Sequence, residues 1–323
     1  MMINFQVDNV KGLGERLDQF LSFQLNQYSR TRIQSWIKSG NVLVNGQFHK
    51  KNYLLNKDDQ ITVNPPTDEE GNLNLTPEPI EMDLLYEDEA IVVINKPAGI
   101  VVHPGKGANK GTLVHGLLYH FEKLSDLNGN IRPGIVHRLD KNTSGVMVIA
   151  KTNETHKNLA DQFKNRNVKK EYYGFTWGKW IENEGCIDKP IARNRKDPTS
   201  FQVSLDGKKS QTRFIVEKSF RHCTLVSFFP QTGRTHQIRV HTSFLGYPIF
   251  GDEKYGGGKQ KAMGFLPEIA KFYKKEIEVF GRHALHARSL KFMHPLTKKQ
   301  VAFEAPLPKE FLMLLKSFTL FYE

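Results

Sequence analysis

Residues 137–145 read HRLDKNTSG and lead directly into the apolar run VMVIA at residues 146–150. An apolar run of this length between a glycine and a lysine is typical of a buried strand, so we predict that Asp140 lies on the loop that enters it. Loops held by a rigid sheet often carry catalytic groups. The stretch therefore makes Asp140 a candidate catalytic carboxylate, with an ordinary turn residue as the alternative.

The same stretch resembles the H-R-L-D-x-x-T-S-G motif of the RluA/RluD family of RNA pseudouridine synthases, with Asp140 in place of the family's essential aspartate. Further segments resemble family motifs in the same order, and together they span residues 84 to 310 approximately. These segments are INKPAGIVVHP at 94–104, GIV at 134–136, KEY at 170–172 with Gly178, GRTHQIRVH at 233–241, ALHA at 284–287 and HP at 294–295.

The resemblance implies an α+β fold with a pseudouridine synthase core around a largely antiparallel mixed sheet. It also implies a small N-terminal S4-like α/β RNA-binding domain. We expect this domain at residues 1–63, an acidic linker at 64–80 and the catalytic domain at 81–323. Strand-like and helical stretches that alternate in the last part agree with an α+β domain.

Charge and cysteine content restrict the partners and the compartment. The chain has 46 Lys and Arg against 34 Asp and Glu, a net charge of +12, which favours a polyanionic partner. Its 2 cysteines exclude a disulfide framework, and no apolar run approaches the roughly 20 residues of a membrane span. We expect a cytoplasmic monomer without a membrane partner.

The N-terminal domain is predicted to contain two helices and a short hairpin, the first helix being amphipathic and opening at residues 16–21. Ser29 is predicted to cap a helix that ends at Gly40, and residues 41–46 are predicted to form a strand that runs into an Asn-Gly turn. The resemblance to S4 domains implies that five basic side chains meet RNA phosphates. They are Arg30, Arg32, Lys38, Lys50 and Lys51. The alternative is a solvated basic face that binds nothing.

Roles for side chains around Asp140 also follow from the family resemblance. Arg239 is implied to be its cationic partner, on a helix that we expect to be capped by Thr235 and stopped by Gly246. Tyr172 is implied to stack on the extruded uracil. The implied substrate-binding residues are Arg138 beside the flipped nucleotide, Ile238 beneath the base, Leu285, and Arg234, which is the next candidate to pair with Asp140.

Pseudouridine formation breaks the N1–C1′ bond, turns the uracil and joins C5 to C1′. The reaction requires no redox step, so we expect no cofactor and no metal site. We expect hydrogen-bonding structural roles for most of the histidines in the motifs. Whether the carboxylate attacks the sugar or the base stays open.

The segment at 256–282 resembles the insert of the subfamily that modifies large-subunit ribosomal RNA. It favours that RNA, or a ribosomal precursor particle, as the partner. Transfer RNA as the substrate and a noncatalytic S4-type RNA-binding protein are the alternatives. A glycoside hydrolase would need a second carboxylate at the cleaved bond, and from the sequence Asp140 alone stands out.

Overall fold

The computed structural model describes residues 2–8, 12–25, 28, 30–65, 75–105, 108–129 and 132–321. The chain forms two compact units, one of residues 1–80, 103–135 and 150–157 and one of residues 81–102, 136–149 and 158–323. Ser29 and most of the predicted linker lie outside the described residues, so the predicted helix cap and the linker at 64–80 stay predictions. No helix in the described ranges is long and apolar enough to cross a membrane.

The N-terminal part of the first unit contains a four-stranded antiparallel sheet in the order β1-β4-β2-β3 and two helices. Its elements are β1 (Ile3–Gln6), α1 (Leu17–Gln24), α2 (Arg30–Lys38), β2 (Val42–Val44), β3 (Gln47–Phe48) and β4 (Gln60–Val63). Asn45 and Gly46 between β2 and β3 have positive φ angles of 52° and 75°. A two-residue type I′ turn requires this backbone, so the predicted Asn-Gly turn is confirmed.

Apolar side chains on one side of each helix pack with those of the strands to form the core of this sheet. The buried residues include Leu17, Leu21, Ile33, Trp36, Val42, Val44, Ile61 and Val63. The first unit also holds α3 (Leu113–His120) and a buried histidine, His156. Its Nδ1 lies 2.9 Å from Oγ of Ser125, and its Nε2 lies 2.8 Å from the side-chain amide of Asn128.

The large sheet has the strand order β5-β6-β7-β14-β8-β13-β12-β9, and β15 pairs with β14. Its strands are β5 (Asp83–Glu87), β6 (Ile91–Lys96), β7 (Ser144–Ala150), β8 (Lys169–Trp177), β9 (Glu184–Asp188), β12 (Gln211–Ser219), β13 (Cys223–Pro230), β14 (Leu285–Met293) and β15 (Gln300–Glu304). Among the described strand pairs with a defined register, β7 with β14 is parallel and the others are antiparallel. The predicted largely antiparallel mixed sheet is confirmed.

A small antiparallel ribbon and several helices complete the described elements. They are β10 (Ile191–Arg193), β11 (Phe201–Val203), α4 (Asn153–Lys164), α5 (Gln237–Phe244), a 3₁₀ turn (Glu253–Tyr255), α6 (Lys259–Ala262), α7 (Pro267–Phe280) and α8 (Lys309–Leu320). Aromatic side chains of β8 pack with those of α7 and α8, among them Phe175, Trp177, Tyr273 and Phe318. This core fixes β8, the strand that carries Tyr172.

Helix α5 begins at Gln237 with His236 at the N-cap position, so the predicted cap at Thr235 is wrong. His236 precedes the helix with φ 56° and ψ 21°, a left-handed conformation that cannot continue into an earlier helical turn. The Gln237 side chain instead accepts hydrogen bonds from the Thr232 hydroxyl and the Arg234 amide, at 2.7 and 3.0 Å, and closes a turn before the helix. The end is as predicted, because Gly246 has a positive φ of 84° just beyond it.

Candidate active site

The register of three adjacent strands brings the Asp140 loop beside Tyr172. Gly145 at the start of β7 pairs with Ala287 on β14, and Ala287 in turn pairs with Tyr172 on β8. A Cβ atom on Gly145 would lie 2.1 Å from the carbonyl oxygen of Ala287. The glycine of the HRLDKNTSG stretch is therefore required by the close approach of the two backbones.

A pocket of about 130 Å³ opens at this place. Asp140, Arg239 and Tyr172, the three predicted catalytic residues, all line it. So do the four predicted substrate-binding residues, Arg138, Ile238, Arg234 and Leu285. The structure thus collects in one pocket side chains that are distributed over nearly 150 positions of the sequence.

Arg239 pairs with Asp140 at the pocket. Its Nη1 donates to Oδ2 of Asp140 over 3.0 Å, and the exposed fractions of the two side chains are 8% and 20%. Its Nε and Nη2 donate to the two carboxylate oxygens of Asp252 over 2.6 and 2.9 Å. One guanidinium therefore joins two carboxylates, with its two-pronged contact directed to the buried Asp252.

The charged form of the Arg239 guanidinium is stabilised although the side chain is buried. Burial lowers the pKa of the Arg239 guanidinium, but the hydrogen bonds and charge of Asp252, together with the charge of Asp140, outweigh this penalty and raise the pKa above its ordinary value. Arg239 is therefore a permanent cation. It lies 3.0 Å from the Asp140 carboxylate in a partly dry pocket, where an unpaired carboxylate would be costly.

A buried lysine, Lys96, holds the loop that carries Asp140. Lys96 is 0% exposed, and its Nζ donates to the carbonyl oxygens of Pro97, Ile100 and Lys141 over 2.7, 2.9 and 3.2 Å. The amide of Gly99 donates to the same Lys141 carbonyl over 2.9 Å. Burial lowers the pKa of Lys96 to about 7, while the charge of Asp140 opposes that shift. The INKPAGIVVHP segment thus supports the residue after Asp140.

A second set of contacts holds the loop from β14 and the residues just before it. Arg282 Nη1 donates to the Asn142 carbonyl over 3.0 Å. His283 Nε2 lies 2.9 Å from the Thr143 hydroxyl, and His286 Nδ1 lies 2.9 Å from the Ser144 hydroxyl. For His283 and His286, the predicted structural hydrogen bonding is confirmed. Through His286, the ALHA segment thus contacts the Asp140 stretch directly.

The remaining walls of the pocket are aromatic and aliphatic. Ile238 and Leu285 contribute apolar surface, and Tyr172 contributes a partly buried ring. Burial and the nearby Asp140 carboxylate raise the pKa of the Tyr172 phenol, so its hydroxyl remains protonated and neutral. The pocket therefore combines a planar ring with aliphatic sides and one ion pair, which suits a flat polar base.

Two further arginines lie at the exposed part of the pocket. Arg138 and Arg234 are exposed pocket residues, and Arg234 Nε donates to the Lys209 carbonyl over 3.2 Å. The contact with Asp140 is made by Arg239. Both exposed arginines are available to meet phosphate groups of a bound nucleic acid.

Sequence reasoning missed Asp252 and Tyr255, and it assigned no role at the site to His236. Asp252 binds Arg239, and Tyr255 lies with its ring 4.9 Å from the guanidinium carbon. Their signal in the sequence is the string GDEKYGGG at 251–258, whose glycines indicate a tight turn. In the structure Gly251 has φ 75°, and a Cβ there would lie 2.3 Å from the Arg282 carbonyl oxygen.

The predicted RNA-binding residues lie in the first unit. Arg30 donates to the buried Asp18 over 2.8 Å, although 46% of its side chain is exposed. The guanidinium of Arg32 lies 5.3 Å from the Tyr28 ring centre and 5.7 Å from that of Trp36. Lys38, Lys50 and Lys51 are exposed on α2 and beyond the hairpin. Their predicted contact with RNA phosphates stays a prediction.

Two family models match the chain. RNA pseudouridylate synthase matches residues 90–244. The S4 domain matches residues 15–61. The first range contains Asp140, Tyr172 and Arg239, and the second contains the five basic residues predicted to meet RNA.

Relatives of known description cover nearly the whole chain. It is 44% identical over 303 residues to an uncharacterized RNA pseudouridine synthase, YlyB, of Bacillus subtilis, over 94% of each protein. It is 39% identical to the ribosomal large subunit pseudouridine synthase D of Pseudomonas aeruginosa, over 94% of this chain and 91% of the relative.

A solved structure, human RNA pseudouridylate synthase domain containing 4, is 28% identical with a TM-score of 0.53, over 73% of this chain and 93% of that one. The fold is shared as well as the sequence. With the Asp140 pocket and the two family models, these relatives show that the chain belongs to the RNA pseudouridine synthase family and carries an N-terminal S4 domain.

Proposed function

We propose that this enzyme converts uridine to pseudouridine in large-subunit ribosomal RNA, with Asp140 as the carboxylate that acts on the flipped nucleotide. The observation that supports this proposal most strongly is the ion pair of Asp140 with Arg239 in a pocket lined by Tyr172, Ile238 and Leu285. A partly exposed carboxylate with one oxygen bound by Arg239, beside apolar and aromatic walls, suits a nucleophile that acts on a bound base or its sugar.

The reaction divides into steps that the pocket residues can serve. When the N1–C1′ bond breaks, its electron pair moves to the uracil, and Asp140 either bonds to C1′ or acts on the base. The uracil turns within the pocket, C5 bonds to C1′, the bond that Asp140 formed breaks with its electron pair returning to the carboxylate, the C5 hydrogen leaves as a proton and N1 gains a proton. No electron is gained or lost overall. Asp140 is regenerated at the end, as a catalyst must be.

Positioning is the proposed work of the other pocket residues. Tyr172 offers a neutral aromatic plane on which an extruded base stacks, and Ile238 supports the base from the helix. Arg138 is proposed to act beside the flipped nucleotide and Arg234 to bind phosphate at the exposed part of the pocket. Arg239 binds one oxygen of Asp140 and fixes the direction of the carboxylate.

The S4 domain is proposed to add affinity that does not depend on the reacting uridine. Lys38, Lys50 and Lys51 are exposed cations, and Arg30 and Arg32 extend the same basic helix. Phosphate contacts of this kind position a protein on nucleic acid without specifying sequence. The proposed compartment is the cytoplasm, and the proposed active form is the monomer.

The choice of ribosomal RNA rests on the relatives whose names specify it and on the segment at 256–282, which forms α6 and α7. The test is to map pseudouridines by carbodiimide-blocked primer extension in a strain that lacks this gene. We expect at least one stop in large-subunit RNA to disappear and to return with the parent gene but not with Asp140→Asn. If stops are lost in transfer RNA alone, the substrate is transfer RNA and not large-subunit ribosomal RNA.

A further inference from the structure

His236 lies beside Oδ1 of Asp140, the oxygen that Arg239 does not bind. Its Nε2 is 3.8 Å from Oδ1, whereas Arg239 binds Oδ2. At 3.8 Å the two atoms are beyond hydrogen-bonding distance, but catalytic contacts are often long before substrate binds and shorten in the complex. The two oxygens of Asp140 therefore face different partners, one cationic and one imidazole.

The other nitrogen of this imidazole is held by Tyr255. Nδ1 of His236 lies 2.7 Å from the Tyr255 hydroxyl, and the backbone amide of Phe201 donates to that same hydroxyl over 3.0 Å. A phenol has one proton to donate, and a protonated hydroxyl is assured because burial raises the pKa of Tyr255 to about 12.

These two contacts decide which imidazole nitrogen carries the proton. With its oxygen already accepting from Phe201, the hydroxyl can direct its own proton to Nδ1 of His236. Of these two contacts within the described part of the chain, Nδ1 of His236 is the one that can accept this proton, because the Phe201 amide is a donor. Nδ1 is then the acceptor, and the proton of a neutral imidazole resides on Nε2, which faces Asp140.

The charged groups around the imidazole are Asp140, Arg239, Asp252 and Lys254. Burial lowers the pKa of His236, and Arg239 lowers it further, although Asp140 opposes them. The imidazole is therefore neutral at pH 7. His236 lies just before α5 in a left-handed backbone conformation, with φ 56° and ψ 21°.

We propose that His236 is a positioning residue for Asp140, a neutral imidazole that Tyr255 holds with Nε2–H directed at Oδ1. In the substrate complex the contact shortens to a hydrogen bond and fixes the carboxylate for attack, while Arg239 holds the other oxygen. This inference rests on the proposed role of Asp140. It extends the site to Tyr255, which contacts both partners of Asp140, Arg239 through its ring and His236 through its hydroxyl.

Histidine-selective ¹⁵N NMR of the full chain tests the tautomer without reference to activity. The resonances of His236 are identified by their absence from the spectrum of His236→Gln. We expect the attached proton on Nε2 in the parent protein and a mixture of tautomers in Tyr255→Phe, which keeps the ring over Arg239 and removes only the hydroxyl. A proton on Nδ1 in the parent protein would overturn the proposal.

Single-turnover release of tritium from RNA labelled at C5 of uridine tests the function. The Gln amide can reproduce the Nε2–H donor, so His236→Gln should retain about 10-fold more activity than His236→Ala, with equal RNA affinity. Both variants carry the same left-handed backbone cost, which makes them a matched pair. Equal rates for the two would overturn the proposal, as would a parent-like rate in Tyr255→Phe.

Asp140→Asn in the same assay separates this inference from the proposed function. If Asp140→Asn is inactive and the His236 and Tyr255 variants react at the parent rate, the inference on His236 fails and the role of Asp140 stands. If Asp140→Asn is itself active, the proposed function fails, and the tautomer measured by NMR still reports the geometry of His236.

Discussion

Arg239 binds Asp140 end-on, through Nη1 to Oδ2 over 3.0 Å, although the two residues are 99 positions apart in the chain. The contact is end-on because Nε and Nη2 of the same guanidinium bind Asp252. Arg239 therefore contacts only Oδ2 of Asp140 and leaves Oδ1 unbound by the guanidinium. A carboxylate that must act on a substrate needs this, since a bidentate pair would occupy both oxygens.

Two replacements of Arg239 should distinguish the effect of its positive charge from that of its forked hydrogen bonds. Arg239→Ala leaves the buried Asp252 and the partly exposed Asp140 without their shared cation and should cost about 3–5 kcal/mol of folding free energy, with activity lost. Arg239→Lys keeps the charge without the fork and should retain more of both. Urea unfolding and tritium release measure the two effects.

The double variant Arg239→Ala with Asp252→Ala is the matched control. It removes the unpaired buried carboxylate, so it should recover part of the stability that Arg239→Ala loses while remaining inactive. If the double variant is no more stable than the single one, Asp252 is not the main buried charge that Arg239 neutralises.

Lys96 should support the Asp140 loop through its three carbonyl contacts. Lys96→Met fills similar space but removes the donor to these carbonyls. The Lys141 carbonyl keeps its bond from the Gly99 amide, whereas each buried acceptor left unsatisfied costs about 1–3 kcal/mol. We expect a lower unfolding temperature and a slower reaction with unchanged RNA affinity. A variant as stable and as fast as the parent would show that the contacts of Gly99, Arg282, His283 and His286 hold the loop without Lys96.

Stability should fall in acid because of two buried histidines. Burial lowers the pKa of His156 and of His286 to about 4, below the value near 6.5 of an unfolded chain. Between these values the unfolded state binds more protons, so stability present above pH 6.5 is lost as the pH falls. Each histidine should contribute about 2 kcal/mol of loss by pH 5.

Urea unfolding of the parent protein and of His156→Gln between pH 7 and pH 5 measures this contribution. Between pH 7 and pH 5, the free energy of unfolding should fall less in the variant than in the parent protein. The difference should equal the contribution of one histidine. Parallel curves for the two proteins would mean that His156 protonates in the folded state as easily as in the unfolded one.

The S4 domain should determine part of the salt dependence of RNA binding. Lys50→Gln with Lys51→Gln removes two predicted phosphate contacts and should flatten the log–log salt slope by about 0.7 to 0.9 for each. Lys309→Gln with Lys316→Gln, an equal change of charge on exposed positions of α8, is the control. Equal slopes for the two double variants would mean that Lys50 and Lys51 are solvated and do not contact RNA phosphates.

The sequence carried Asp140, Tyr172 and Arg239 as recognisable motifs, and the structure places them in one pocket. The Asn-Gly turn and the end of α5 followed from local backbone preferences. Asp252 and Tyr255 could not be predicted in the same way, because their importance lies in contacts with Arg239 and His236 that depend on how a distant turn packs. The start of α5 was missed because the Gln237 side chain, rather than Thr235, closes the preceding turn.

The central claim is that Asp140 performs the reaction. Its most direct test is single-turnover tritium release by Asp140→Asn on large-subunit ribosomal RNA, with RNA affinity and thermal unfolding measured on the same preparation. We predict that the rate falls by at least about 10³-fold while affinity and unfolding temperature remain near those of the parent, because the variant keeps the shape of the side chain. Turnover near the parent rate would contradict the account.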